Sequence, residues 1–396
     1  MERLVILALA LCLVSHCTAK PYHLHDVPPE AKLNTSQMIK YFGYPAEEHY
    51  VITEDGYILS LQRIPRGRKG VEPNGQVVFM QHGLVSSSAD YVMNLPEESL
   101  GFILADLGYD VWLGNSRGNT YSNKHVNLSN DDPKFWAFSW DEMAKYDLPA
   151  SVNYVLKVSK QQQLFYVGHS QGTLIGFAGF GQNLELAKKI KGFFALAPVA
   201  RVGHIEGAIK LISHFTPELE YLLKILGVRD FAPSNWLMKL FADTLCNSHV
   251  TESVCANIIF LLCGYDTTNL NDTRLPVYIS HTPAGASTQD IIHFAQMVQA
   301  NKFQAYDYGK DGNMKHYHQE TPPLYNVGDS PVPTALFTGT QDWLADPTDV
   351  AWLKPQIKNL IYSKNIEVWN HLDFIWGQDA YKLIYPDIIK LMKTLE

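Results

Sequence analysis

At 396 residues, with 46% hydrophobic and 18% charged residues, the chain can bury a large core and lacks the composition of a disordered protein. Its formal net charge of -8, with no run of like charges, argues against a nucleic-acid partner, which calls for a basic patch.

The chain opens on "MERLVILALALCLVSHCTAK", in which Arg3 precedes an apolar run and small residues follow at Cys17 and Ala19. This is the pattern of a secretory signal over residues 1–19, cut after Ala19. The run is too short for a membrane span, and no later segment reaches the roughly 20 apolar residues a span needs, so no transmembrane anchor is expected. "HYVITEDGYILSLQRIP" alternates around Asp55-Gly56 and predicts an antiparallel hairpin.

Short apolar strands then alternate with helical stretches. "VVFMQHG" leads to a helix near "SLGFILADLG", "YDVWLGNS" to the helix "DEMAKYDLPASVNYVLKVS", and "LFYVGHS" to the helix "GTLIGFAGFGQ" before "GFFALAPVA". That order predicts an α/β fold, a mostly parallel sheet with helices on both faces. A differently textured, apolar and aromatic region follows, and the alternation resumes with "VPTALFTG", "IEVWN" and a final helix through "YKLIYPDIIKLMKTL". The expected organisation is a core of residues 20–200 and 327–396, interrupted by a mainly helical cap and lid over residues 201–326.

Two cysteines go with the signal, leaving Cys246, Cys255 and Cys263 for an oxidising compartment. Cys246 and Cys255 flank the polar segment "NSHVTESV" and are paired on that ground, while Cys263 lies in the apolar run "IIFLLCG" and is expected as a buried thiol. Asn34-Thr-Ser, Asn127-Leu-Ser and Asn271-Asp-Thr are acceptor sequons, coherent with a glycoprotein of the secretory pathway.

In a parallel α/β sheet, reactive groups collect where strands end and loops begin. Ser170 lies at such a place. Gly168-His169-Ser170-Gln171-Gly172 follows "LFYV" and opens an apolar helix, the context in which GxSxG forms a sharp turn that exposes its serine. A serine hydroxyl needs a base to take its proton and an acid to hold that base. "VPTALFTGTQD" ends in Asp342 and "IEVWNHLDF" carries His371, so the chain order Ser, Asp, His is that of α/β-hydrolases.

Asp346, Asp349 and Asp373 are rivals, but Asp342 is nearest a strand end. His169 precedes the serine directly, which turns its side chain away. The oxyanion formed during acyl transfer needs two backbone N–H donors. One is expected from Gln171, just after the nucleophile, and the other from Leu84, where His82-Gly83 turns the backbone inward; His82 itself is expected to shape that loop. "GNSRGN" lacks the Gly-Lys-Ser/Thr ending of a phosphate loop and is read as a structural loop with Arg117 in an ion pair. Neither HExxH nor paired CxxC occurs, so no metal and no cofactor are expected.

From about Leu33 to the C-terminus, "GFILADLGYDVWLGNSRGNT", "FWAFSWDEMAKYDLPA", "VGHSQGT", "KFQAYDYG", "DWLADP" and "NHLDFIWG" resemble the acid lipase family, the lysosomal, gastric and lingual lipases, in order and spacing. The resemblance implies an α/β-hydrolase core with a lid, Ser170, Asp342 and His371 as triad, Leu84 and Gln171 as oxyanion donors, and a Cys246–Cys255 disulfide. It implies hydrolysis of triacylglycerols and cholesteryl esters at a lipid–water interface and an acidic optimum. "DWLADP" and "FLLCG" lean toward the lysosomal branch. The apolar stretches "NWLMKLFADTL" and "NIIFLLCGY" would suit a cover over a greasy cleft. The rivals are a digestive-type lipase without sterol esterase activity, a small-ester hydrolase or peptidase, which a polar cap would favour, and a non-catalytic lipid-binding relative, which usually loses a triad member.

Overall fold

The hairpin anchors one edge of the molecule. Strands β1 (Glu47–Ile52) and β2 (Tyr57–Ile64) pair antiparallel, with Val51 opposite Leu59 and Ile52 opposite Ile58. In this computed structural model, residues 27–68, 70–207, 210, 230–231 and 269–396 are described. The signal segment, Cys246, Cys255, Cys263 and the two apolar cap stretches lie outside them.

Next come β3 (Val77–Gln81), β4 (Asp110–Leu113), the short β5 (Lys124–His125), β6 (Leu164–His169) and β7 (Ile190–Leu196). A two-stranded ribbon, β8 (Asp230–Phe231) with β9 (Ala286–Ser287), stands apart from the main sheet, and β10 (Thr334–Gly339) and β11 (Leu360–Ile366) complete that sheet. Its order is β1-β2-β4-β3-β6-β7-β10-β11, with β5 also on β2. From β4 to β11 every neighbouring pair is parallel. β3, β6 and β10 are buried at every position, because helices cover both faces and leave no solvent side for polar residues. The α/β-hydrolase architecture expected above is therefore the one observed.

Three local differences from the sequence reading have physical causes. The long helix before β6 is not uniform: Trp140–Glu142 runs into a π-helical turn, Met143–Asp147, before the α-helix Leu148–Ser159. Pro149 carries no N–H and would crowd the carbonyl four residues back, so the chain widens there. The last helix is split into Ala380–Leu383 and Tyr385–Leu395, with Pro386 in the first turn of the second piece, where a missing N–H costs nothing. The final strand is Leu360–Ile366 and ends where "IEVWN" begins. β11 is an edge strand whose residues alternate between half-buried and exposed, a weak apolar signal. Trp369, within that stretch, is buried in the loop beyond the strand, where its carbonyl accepts from Gln341 N at 3.0 Å.

Between β7 and β10 the chain leaves the main sheet. Its described part there consists mainly of the helices Leu275–His281, Thr288–Ala300 and Gly309–Tyr317. Among the described residues no helix is long and apolar enough to cross a membrane.

The loop after β4 carries Arg117, which is 1% exposed and bound to two carboxylates. It donates to Asp147 from Nε at 2.8 Å and from Nη2 at 2.7 Å, and to both oxygens of Asp55, while its guanidinium lies 4.0 Å from the centre of the Tyr57 ring. The ion pair expected of Arg117 thus ties the hairpin turn to the π-helical turn. Removing one member of such a pair leaves buried charge uncompensated. Arg117→Met is predicted to cost about 3–5 kcal/mol of stability in urea unfolding, and a cost below about 1 kcal/mol would contradict this role.

Candidate active site

β6 ends at His169, and the helix Gln171–Gln182 starts two residues later, so Ser170 alone makes the turn between them. It does so at φ 52° and ψ -119°, a left-handed region where L-residues with a side chain are strained. The two flanking glycines make this possible by close approach. A Cβ on Gly168 would lie 2.8 Å from the backbone of Gly172, and one on Gly172 would lie 2.3 Å from the carbonyl oxygen of Gln81. The turn is also held by hydrogen bonds: Ser170 N donates to Leu196 O at 3.0 Å, and Thr173 Oγ1 donates to Ser170 O at 2.6 Å.

Asp342 follows β10, and His371 lies in the loop after β11. The structure brings both to Ser170. His371 Nδ1 donates to the Asp342 carboxylate, 2.9 Å from each oxygen, which leaves Nε2 to accept from Ser170 Oγ at 2.7 Å. Asp342 Oδ1 also accepts from Leu344 N at 2.9 Å and Ala345 N at 2.8 Å, which fixes the carboxylate. All three residues are buried, Ser170 being the most open at 9%. The rival carboxylates are engaged elsewhere. Asp346 caps the helix Pro347–Leu353, Asp349 binds Arg201 and His204, and Asp373 accepts from Asn370 N and Asn269.

The loop after β3 lies against the serine, since a Cβ on Gly83 would fall 3.0 Å from Ser170 Cβ and 3.5 Å from its Oγ. Half-buried Leu84 follows in this loop, and Gln171 occupies the first turn of its helix, where backbone N–H groups have no partner within the helix. His82 shapes the loop: Nδ1 donates to Gly83 O at 2.7 Å and Nε2 accepts from Ser116 N at 3.0 Å. Burial pushes its pKa down to about 4, so it stays neutral.

Two side-chain contacts near the elbow were not anticipated from the sequence. His169 does not simply turn away. Its Nε2 donates to the carbonyl of His371 at 2.9 Å, and the two rings are 5.0 Å apart. Burial, with the neighbouring His371, lowers its pKa to about 3. Asp290, in the helix Thr288–Ala300, accepts from the Gln171 side chain at 2.7 Å and from Trp140 N at 2.9 Å. No local sequence signal marks either contact, because the partners are 202 and 119 positions apart.

The sequon asparagines lie at or near the surface. Asn34 and Asn127 are exposed; Asn271, half-buried, accepts from Thr273 Oγ1 at 2.7 Å. Among the described residues, no group of three or more His, Cys, Asp or Glu side chains is arranged to hold a metal ion.

Against this geometry, comparisons with known proteins agree on one lineage. Residues 35–95 match the family model described as a partial alpha/beta-hydrolase lipase region, and residues 76–378 match the alpha/beta hydrolase fold. The chain is 51% identical over 368 residues to gastric triacylglycerol lipase of Mus musculus, covering 92% of each protein. It is 49% identical over 397 residues to human lysosomal acid lipase/cholesteryl ester hydrolase, covering 98% of this chain and 99% of that one. A soluble variant of monoglyceride lipase from Saccharomyces cerevisiae shares the fold, with a TM-score of 0.53 at 14% identity over 89% of this chain and 95% of that one.

The buried ionisable groups set opposing pH trends. Burial raises Asp90 and Asp290 to about 7 and Asp141 to about 6, so each favours the folded state most at acidic pH and loses that contribution as pH rises through those values. Buried His82, His169 and His293, lowered to about 4, 3 and 4, work the other way, losing stability as pH falls below about 6.5. Asp90 isolates one side of the balance. Among the described residues only Ser86 binds its carboxylate, at 2.5 Å, and Oδ2 lacks a partner. Asp90→Asn is predicted to gain thermal midpoint relative to wild type as pH rises from 4 to 8. A difference that does not change with pH would contradict this.

Proposed function

The chain belongs to the α/β-hydrolase lipase family that includes the gastric and lysosomal acid lipases, and we propose that it is a serine ester hydrolase releasing fatty acids from triacylglycerols and cholesteryl esters. One observation carries the mechanism: the unbroken hydrogen-bond chain Asp342–His371–Ser170 at a turn that holds the serine in strained geometry.

In this reading His371 takes the Ser170 proton through Nε2 as Oγ attacks the ester carbonyl. Asp342 holds the ring in the tautomer this requires and stabilises the imidazolium that forms. The carbonyl oxygen becomes an oxyanion between the N–H groups of Leu84 and Gln171, whose stabilisation is among the largest contributions to acyl transfer. Collapse expels the alcohol, protonated by His371 and leaving an acyl-enzyme on Ser170, and water, activated by the same histidine, releases the fatty acid. Every step uses side chains and backbone groups of the chain.

The lipid substrate class is supported by the relatives, one named a triacylglycerol lipase and the other also a cholesteryl ester hydrolase. The same kinship supports passage through the secretory pathway. The lysosomal branch is favoured by "DWLADP" and "FLLCG", with glycans at Asn34, Asn127 and Asn271 and a disulfide between Cys246 and Cys255.

Emulsified trioleoylglycerol, cholesteryl oleate and a short soluble ester, assayed from pH 4 to 8, are predicted all to be hydrolysed. Ser170→Ala should lower each rate by about three orders of magnitude or more. Lipid turnover that survives the substitution would sink the mechanism. Turnover of trioleoylglycerol without cholesteryl oleate would favour a digestive-type lipase, and turnover of the soluble ester alone would remove the lipase reading.

A further inference from the structure

Asp290 is 0% exposed, and among the described residues the two hydrogen-bond partners of its carboxyl group are both N–H donors. Oδ2 accepts from Gln171 Nε2 at 2.7 Å, and Oδ1 accepts from the backbone of Trp140 at 2.9 Å. Each carboxyl oxygen keeps a lone pair for its donor whether or not the group carries a proton, whereas an asparagine would turn an NH2 toward one of these donors. Apolar side chains of the same volume would often leave a buried site as stable or more so, so a buried carboxylate is a poor device for stability alone.

The side chain is well supported. Ser287 Oγ accepts from Asp290 N at 3.0 Å and donates to Phe138 O at 2.5 Å. One helical turn on, His293 binds Ser139 Oγ at 3.0 Å and stacks on Trp140, with ring centres 4.4 Å apart and planes 10° from parallel. The helix Thr288–Ala300 is therefore clamped along residues 138–140, and Asp290 reaches from it to the residue that follows the nucleophile. An oxyanion donor acts only within about 2.7–3.1 Å of the developing charge, and catalytic groups need support that holds them to about 0.5 Å. Gln171 has that support from a segment outside the main sheet.

We infer that Asp290 is a positioning residue for the oxyanion hole: by tethering the Gln171 side chain it sets the direction of the Gln171 backbone N–H beside Ser170. The segment between β7 and β10 then contributes to the bond chemistry itself. The inference rests on the serine mechanism proposed above.

The test uses the full chain and a short soluble ester, which needs no lipid surface. Asp290→Ala should lower kcat about 10- to 100-fold, less than outright loss of a donor, with KM changed by less than about twofold. Asp290→Asn should lose less, since the Gln171 amide can turn over to face the new NH2. Gln171→Ala keeps the backbone N–H but removes the tether, and should lower kcat by a similar factor. The double variant should be no worse than either single one within about twofold, the coupling expected of one shared contact.

Losses that multiply in the double variant, an effect confined to KM, or an unchanged kcat in either single variant would each overturn the inference. If Asp290→Ala does not fold, Gln171→Ala decides alone by the same criterion. Ser170→Ala separates the two ideas, since turnover surviving there speaks against the serine mechanism and not against the tether.

Discussion

The backbone of Ser170 is the constraint on which the rest of the structure depends. A non-glycine residue at φ 52° costs on the order of 1–3 kcal/mol, and it persists only where its surroundings leave no alternative. Here they leave none. β6 is fully buried and held in register by β3 on one side and β7 on the other, so the strand cannot slide to relax the turn. Beyond it, Gly172 packs so tightly on the carbonyl of Gln81 that the helix start cannot retreat. The serine is left at the top of the sheet, facing the ends of β10 and β11.

From that fixed point the remaining geometry follows. Parallel strands deliver their C-terminal ends to one edge of the sheet, which puts Asp342, His371 and the Gly83–Leu84 loop within reach of one hydroxyl. Each is then locked by contacts that are not themselves reactive. Asp342 is held by two backbone N–H groups, the carbonyl of His371 by His169, the loop by His82, and the Gln171 side chain by Asp290. The last three of these supports are buried ionisable groups, and burial shifts them toward neutrality: the histidines downward, Asp290 upward. The site is thus surrounded by groups whose charge is sensitive to acidification, with carboxyls and histidines drawing stability in opposite directions.

Much of this was legible in the residues. Strand and helix periodicity predicts the order of the core elements, because a strand buried on both faces reads as an unbroken apolar run, as in "VVFM" and "LFYV". Ser170 and Asp342 could be chosen because a strand end is a local feature that a sequence displays, and His371 because the chain order Ser, Asp, His places the base after the last strand. The misreading of the last strand has the same root: β11 is half-exposed and weakly patterned, while Trp369 is buried without being in a strand. His169 and Asp290 were out of reach for another reason. Their roles are created by packing between segments distant along the chain, and nothing in "VGHSQ" or "STQDIIHF" announces a partner.

The central claim is that Ser170 becomes covalently acylated, and trapping that intermediate tests it most directly. The protein, treated with an activated fluorophosphonate or quenched during turnover of a chromogenic ester, would be digested and its peptides weighed. The account predicts one adduct, on the peptide carrying Ser170, and loss of activity in proportion to labelling. An adduct on another residue, or inactivation without any label on Ser170, would contradict it.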